Sequence, residues 1–203
     1  MTTEASRPGF DLKMTAEEIN SLPIAAYEGA VHIVRTEDEL EKAVRALSRE
    51  TVLGFDTETK PNFAKGENNA LSLVQFAGGR AAYIMQLRHL PSCAPLRKIF
   101  CDERIIKAGV DIPQDILKLQ EHIGGDYKGF VDVSLGAKQA GLKNFSLRGL
   151  AAILLGVRIS KGMRVSNWAR DTLQPSQIKY AATDAWISRE LYLRLQHSEF
   201  GSH

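Results

Sequence analysis

Asp56 and Glu58 stand one residue apart in Val52-Leu-Gly-Phe-Asp-Thr-Glu-Thr59, and that spacing is the first chemical signal in the chain. Val52, Leu53 and Phe55 have the apolar character of a buried strand. Residues two apart on a strand project from one face, so the two carboxylates point the same way. They repel unless something positive lies between them, and an all-oxygen site suits Mg²⁺ or Mn²⁺. An isolated D-x-E at a strand end reads as no more than solvated charge. This one gains weight from acids further along. Asp115 follows a second apolar run and falls in the first turns of a helix, in Ala108-Gly-Val-Asp-Ile-Pro-Gln-Asp-Ile-Leu-Lys118. Tyr180 and Asp184 are four apart in a long helical pattern, so phenol and carboxylate share a face. Ile178, Ala181, Ala182 and Ala185 give that helix a small-residue side. An acid there is costly to bury unless it is paired or metal-bound.

The elements that must position these groups follow from periodicity. Residues 1–30 mix Pro8, Gly9, Pro23 and Gly29 with one short helical stretch, Thr15 to Leu22, and read as an extension packed on the domain or a mobile tail. Val31 to Val34 is a short strand. Thr36-Glu-Asp-Glu39 has the spacing of a capping box and opens a helix with Leu40, Val44 and Leu47 on one stripe. After the carboxylate strand comes a polar loop, Lys60 to Asn69. Leu71 to Phe76 and Ala81 to Met85 are then strands joined by Gly78-Gly79-Arg80, which makes a meander. Pro95 to Phe100 suits a helix, Arg104 to Ala108 a buried strand, Pro113 to His122 a helix and Phe130 to Val133 a further strand. From Ser134 onward the pattern is helical, with Ser146 as N-cap for Leu147 to Leu155 and a long helix from Pro175 to about Gln196. This order predicts an α/β fold with a mixed sheet flanked by helices, in one domain over 31–197 with a short tail over 198–203.

The charge is uneven. Residues 1–60 hold twelve acidic against seven basic side chains, whereas 141–180 hold Lys143, Arg148, Arg158, Lys161, Arg164, Arg170 and Lys179 against Asp171 alone. A local basic excess favours an anionic partner such as a phosphate backbone, against the plainer reading of a solvated basic face. Cys93 and Cys101 lack C-x-x-C spacing, and the five histidines form no cluster, which argues against zinc. No Ser-His-Asp pattern, P-loop or dinucleotide fingerprint occurs. The N-terminus has no signal-peptide core and no apolar run is long enough to cross a bilayer, so an intracellular, cytoplasmic protein without membrane association is expected.

With these motifs assembled, the sequence resembles the DEDD superfamily of 3′→5′ exonucleases. The resemblance rests on Phe55-Asp-Thr-Glu-Thr59, Gly109-Val-Asp-Ile-Pro-Gln-Asp-Ile-Leu-Lys-Leu119 and Tyr180-Ala-Ala-Thr-Asp184. Tyr180, with lysine at 179, matches the Y-x-x-x-D subgroup, of the Werner-type exonuclease domain and ribonuclease D kind. Ser146 to Gly156 and Ser166-Asn-Trp-Ala-Arg170 are similar to the segments that lead into the third motif there. The resemblance implies a ribonuclease H-like fold and two divalent ions, Mg²⁺ or Mn²⁺, held by Asp56, Glu58, Asp115 and Asp184. One ion would activate water and the other stabilise the leaving 3′ oxygen. Tyr180 would orient the water, and the partner would be a nucleic acid with a free 3′ end, shortened to nucleoside 5′-monophosphates. Asp115 rather than Asp111 is taken as the third acid because the family pattern places it there.

Further substrate contacts are expected at Thr57, Thr59, Gln75, Lys143, Arg148, Lys161, Arg164 and Trp168, each weighed against an ordinary role. Threonines pack in strands, Gln75 could be the polar side of its strand, the bases could be surface charge, and Trp168 could be a packing anchor rather than a stacking platform. The polymer is DNA, slightly favoured over RNA; ribonuclease D-like trimming of RNA 3′ ends is the alternative. Two other classes compete: a non-catalytic nucleic-acid-binding module on the same fold, and a haloacid-dehalogenase-type phosphatase, whose D-x-D-x-T strand Asp56-Thr-Glu-Thr59 nearly matches. Nothing in the residues sets an oligomeric state.

Overall fold

The computed structural model describes residues 13–60 and 71–197. The polar loop expected at 60–69 lies outside them except for Lys60, as does the tail over 198–203. Six strands form one mixed sheet: β1 (Ala30–Val34), β2 (Val52–Thr59), β3 (Leu71–Ala77), β4 (Ala81–Gln86), β5 (Ile106–Gly109) and β6 (Phe130–Asp132). Their order across the sheet is β1-β4-β3-β2-β5-β6. The expected meander is present, with β2 antiparallel to β3 and β3 antiparallel to β4. The pairs β1–β4, β2–β5 and β5–β6 are parallel. Consequently β2 and β5 end at the same edge of the sheet, where the loops that follow them can meet.

One face is covered by α2 (Glu37–Leu47), α3 (Arg97–Phe100) and α4 (Pro113–Ile123). Leu40, Val44 and Leu47 pack there with Phe55, Phe76 and Phe100, as the helical stripe requires. Thr36 and Glu39 form the expected capping box at the start of α2. The other face carries α5 (Val133–Gln139), α6 (Leu147–Leu155), which Ser146 caps, and the long α7 (Pro175–His197). Leu73, Ala77, Ala82 and Ile84 of the sheet pack there against Ala181, Ala182 and Ala185 of α7.

Several element ends differ from the expectation by a residue or two, and at three of them a local reason is visible. The strand read at Arg104 to Ala108 begins only at Ile106, because Arg104 pairs with Asp102 in the preceding turn at 2.7 and 2.9 Å. The sixth strand stops at Asp132, whose carboxylate accepts from Ser134 N at 2.9 Å and so starts α5 a residue early. The helix read at Pro95 to Phe100 opens with a 3₁₀ turn at Ala94–Leu96 before becoming α3.

Residues 13–29 pack on the α6–α7 side. The short helix α1 (Ala16–Ser21) has its own capping box at Thr15 and Glu18. Met14 and Asn144 exchange two hydrogen bonds of 3.0 Å, Arg158 donates to Leu22 O at 2.9 Å, and Tyr27 N donates to Thr183 Oγ1 at 3.0 Å. Thr183 adjoins Asp184, so this segment braces α7 beside one of the candidate acids. Among the described residues no helix is long and apolar enough to cross a membrane.

Candidate active site

Strand alternation sends Gly54, Asp56 and Glu58 toward α7 and Leu53, Phe55 and Thr57 toward the α2–α4 face. Phe55 accordingly sits in the aromatic core with Phe76, Phe100 and Phe130. Gly54 decides how near α7 can come. A Cβ on Gly54 would lie 1.8 Å from Ala185 O and 2.8 Å from Arg189 N, so only glycine lets the helix backbone rest on the strand at this point. That approach brings Asp184, one residue before Ala185, to the strand acids. Carboxylate oxygens of Asp56, Glu58 and Asp184 all lie within 4.8 Å of one another.

Asp115 reaches the same edge from β5. The chain turns out of Gly109 through Asp111, which holds a left-handed φ of 60°, a conformation aspartate tolerates better than most residues. Asp111 N donates to Asp132 Oδ1 at 3.3 Å, and α4 then starts at Pro113 with Asp115 in its first turn. Thr57 Oγ1 donates to Asp115 Oδ1 at 2.7 Å, tying the third acid to the strand that carries the first two. Asp115 stands outside the tight group of three yet close enough to act on the charge of Asp56 and Glu58.

The electrostatics are those of a cation site. Burial, then the neighbouring Asp184 and Asp115, hold Asp56 well above the usual carboxylate range. Glu58 is raised by burial and then by Asp56, Asp184 and Asp115, and Asp115 by burial against the opposing Thr57 hydrogen bond. Asp184, only 6% exposed, is pushed up to about 7 by burial, with the hydrogen bond from Tyr180 acting the other way. The Tyr180 phenol is driven far above its ordinary range by burial and by Asp184 and Glu58. In the metal-free arrangement the phenol is therefore held as a hydrogen-bond donor to Asp184. Three carboxylates within 4.8 Å of one another, with Asp115 nearby, form an oxygen-only donor set of the kind that suits hard divalent cations.

The remaining candidates fall in different places. Thr59 ends β2 beyond a register shift at Glu58/Thr59. Gln75 is fully buried, directly across from Asp56 on β3, and Trp168 is 1% exposed with its ring 5.9 Å from that of Tyr180. Neither offers a surface to a base. Arg148 donates to Ile159 O at 3.1 Å and also reaches Asn20 Oδ1, so its guanidinium serves the packed N-terminal segment. Lys143, Lys161 and Arg164 are exposed. Gly54 is the positioning residue that sequence reasoning passed over. Its signal was available in retrospect: a glycine two residues before an acid on one strand face, opposite a helix with an alanine-rich side.

The sequence profile of the 3′-5′ exonuclease family matches residues 31–198. The chain belongs to that family. It is 28% identical over 163 residues to DNA polymerase I of Aquifex aeolicus, covering 80% of this chain and 27% of that one. It is 32% identical over 171 residues to the human exonuclease 3′-5′ domain-containing protein 2, covering 78% of this chain and 27% of that one. The exonuclease chain thus spans about a quarter of the length of these two relatives. The EXO domain of Aedes aegypti Nibbler superposes with a TM-score of 0.78 at 24% identity, covering 85% of this chain and 91% of that one. Escherichia coli RNase D gives 0.73 at 20% identity, covering 82% and 45%. Both are similar in fold, which is ribonuclease H-like.

The raised carboxylates set a pH dependence for the metal-free exonuclease. Between the ordinary carboxylate pKa near 4 and about 7 for Asp184, the folded chain retains a proton that the unfolded chain releases. The contribution of Asp184 to stability is therefore complete at low pH and is lost as pH rises through 7, and that of Glu58, pushed up to about 10, is lost above it. Cations compete with these protons, so their stabilising effect must run the opposite way. Melting curves in EDTA and in Mn²⁺ at pH 5.5 and 8 should show the Mn²⁺ increment several degrees larger at pH 8. An increment independent of pH would contradict the arrangement of acids described above.

Proposed function

We propose that this exonuclease removes nucleotides singly from the 3′ end of DNA as nucleoside 5′-monophosphates, with Asp56, Glu58, Asp115 and Asp184 holding two Mg²⁺ or Mn²⁺ ions. The observation that carries the reading is the three-acid group within 4.8 Å, with Asp115 hydrogen-bonded to the same strand. Divalent cations held by these carboxylates would supply positive charge against the scissile phosphate and would ease the loss of a proton from the attacking water. The chain's own groups do the rest. Thr57 holds Asp115 in place. Tyr180 donates its one proton to Asp184, which fixes the phenol and leaves its oxygen to accept from, and so orient, the attacking water. Lys143, Lys161 and Arg164, all exposed, are the bases available for the phosphates upstream of the terminal nucleotide.

We assign the catalytic unit to residues 31–197, with 13–30 as the brace on α6 and α7. DNA is favoured because the Werner-type motif pattern and the similarity to a DNA polymerase I both point that way. Matched DNA and RNA oligonucleotides of one sequence, labelled at the 5′ end and incubated in Mn²⁺, test the choice. Faster shortening of DNA is expected, and a rate on RNA at or above that on DNA would move the assignment to ribonuclease D-like RNA trimming.

A further inference from the structure

Among the described residues, three buried side-chain atoms have no hydrogen-bond partner: Oε1 and Nε2 of Gln75, and Nε1 of Trp168. Buried polar groups are almost always paired, so two orphans on one fully buried amide need an explanation. Their location supplies one. Gln75 is the direct cross-strand partner of Asp56, and side chains opposite each other in an antiparallel pair lie on one face with Cβ atoms roughly 4.5–5.5 Å apart. Alternation along β3 puts Gln75 on the same face as Leu73 and Ala77, which pack with Trp168 and α7. Asp56, Gln75 and Trp168 are thus on one side of the sheet, beneath the catalytic helix.

The donor and acceptor types match in only one order. An indole N–H can only donate, an ionised carboxylate can only accept, and a primary amide does both. We propose that Gln75 is a positioning residue for Asp56: its Nε2 donates to the Asp56 carboxylate when that carboxylate holds metal, while its Oε1 accepts from Trp168 Nε1. The terminal torsion of glutamine is soft, so the amide can turn into this arrangement without moving the strand. The amide is buried and touches no nucleotide, so its effect falls on the metal ligand and not on the substrate. This inference rests on the metal-dependent exonuclease reading and adds a supporting residue to it.

Gln75→Met keeps the length of the side chain and removes both orphaned atoms, and Mn²⁺ titrations followed by thermal shift read the consequence without reference to turnover. The half-saturating Mn²⁺ concentration should rise about 10-fold or more, the usual cost of losing a group that orients a metal ligand. The metal-free melting temperature should stay level or rise, because no satisfied bond is lost. KM for a DNA oligonucleotide at saturating Mn²⁺ should equal that of the parent. Trp168→Phe, which deletes the indole N–H, should shift the Mn²⁺ half-saturation in the same direction, and it carries the test alone should Gln75→Met not fold. Half-saturation within two-fold of the parent in the folded variant, or a lower metal-free melting temperature as the only change, would overturn the proposal. The parent is titrated and assayed first. If it neither binds Mn²⁺ nor shortens DNA, the exonuclease reading itself has failed; if it does both and the variants match it, only the role of Gln75 has.

Discussion

Asp184→Asn is expected to lose at least about 10³-fold in the rate of 3′-end hydrolysis while melting at a higher temperature than the parent in EDTA. The two effects have one origin. A ligand carboxylate contributes several kcal/mol to holding charge against the phosphate, and about 1.4 kcal/mol is a factor of ten in rate. The same carboxylate in the metal-free chain is buried among Asp56 and Glu58, where burial raises the pKa of all three and repulsion from Asp184 adds to it for Asp56 and Glu58. Asparagine keeps the oxygen that accepts from Tyr180 and removes the charge. Relieving the repulsion by about 1 kcal/mol raises Tm by roughly 2–4 °C in a chain of this size. Mn²⁺ should then stabilise the variant far less than the parent. Rate assays and melts at pH 8 check both halves, and a variant that is both destabilised and inactive would point to a structural role for Asp184 instead.

Gly54→Ala should be damaging out of proportion to one methyl group. Its Cβ would fall 1.8 Å from the Ala185 carbonyl oxygen, which belongs to helix backbone and cannot swing aside. Either α7 lifts from β2 or the strand bends, and overpacking of this kind costs roughly 1–3 kcal/mol or more. Lifting α7 also carries Asp184 away from Asp56 and Glu58. A displacement of about 1 Å at a reacting centre can cost on the order of 100-fold in rate, so activity should fall by that much even where the variant remains folded. Added Mn²⁺ would recover little, since the ligand geometry is at fault. Gly136→Ala is the control: it sits mid-helix in α5, its Cβ would meet only Leu195 Cδ1 at an ordinary 3.8 Å, and it should gain up to about 1 kcal/mol with unchanged activity. Equal loss of activity in the two glycine variants would contradict the close-approach argument.

The parts of this fold that repeat along the chain were legible in its residues. The apolar stripe Leu40, Val44 and Leu47, the capping box at Thr36, the cap at Ser146 and the alternation of β2 each carry a local signal, and each appears in the structure. Asp56 and Glu58 were readable as a pair because strand geometry alone puts them on one face. What stayed hidden depends on which elements meet. Gly54 looks like a weak strand residue until α7 is laid across it. Thr57 could equally pack or touch substrate, and the structure gives its hydroxyl to Asp115. The basic excess over 141–180 suggested one phosphate-binding face. Three of its members are instead engaged by residues 20–28: Arg148 with Asn20, Arg158 with Leu22 and Lys179 with Glu28. No count of charges along the chain can show that, because it arises from a contact between segments more than a hundred residues apart.

One assay tests the metal-dependent centre most directly: a 5′-labelled single-stranded DNA oligonucleotide incubated with the protein in Mn²⁺, with EDTA in parallel. A ladder shortening from the 3′ end with release of nucleoside 5′-monophosphates, abolished by EDTA and by Asp184→Asn, is the predicted result. Shortening that persists in EDTA, or an intact oligonucleotide beside folded, Mn²⁺-stabilised protein, would contradict the assignment of Asp56, Glu58, Asp115 and Asp184 as a metal-dependent hydrolytic centre.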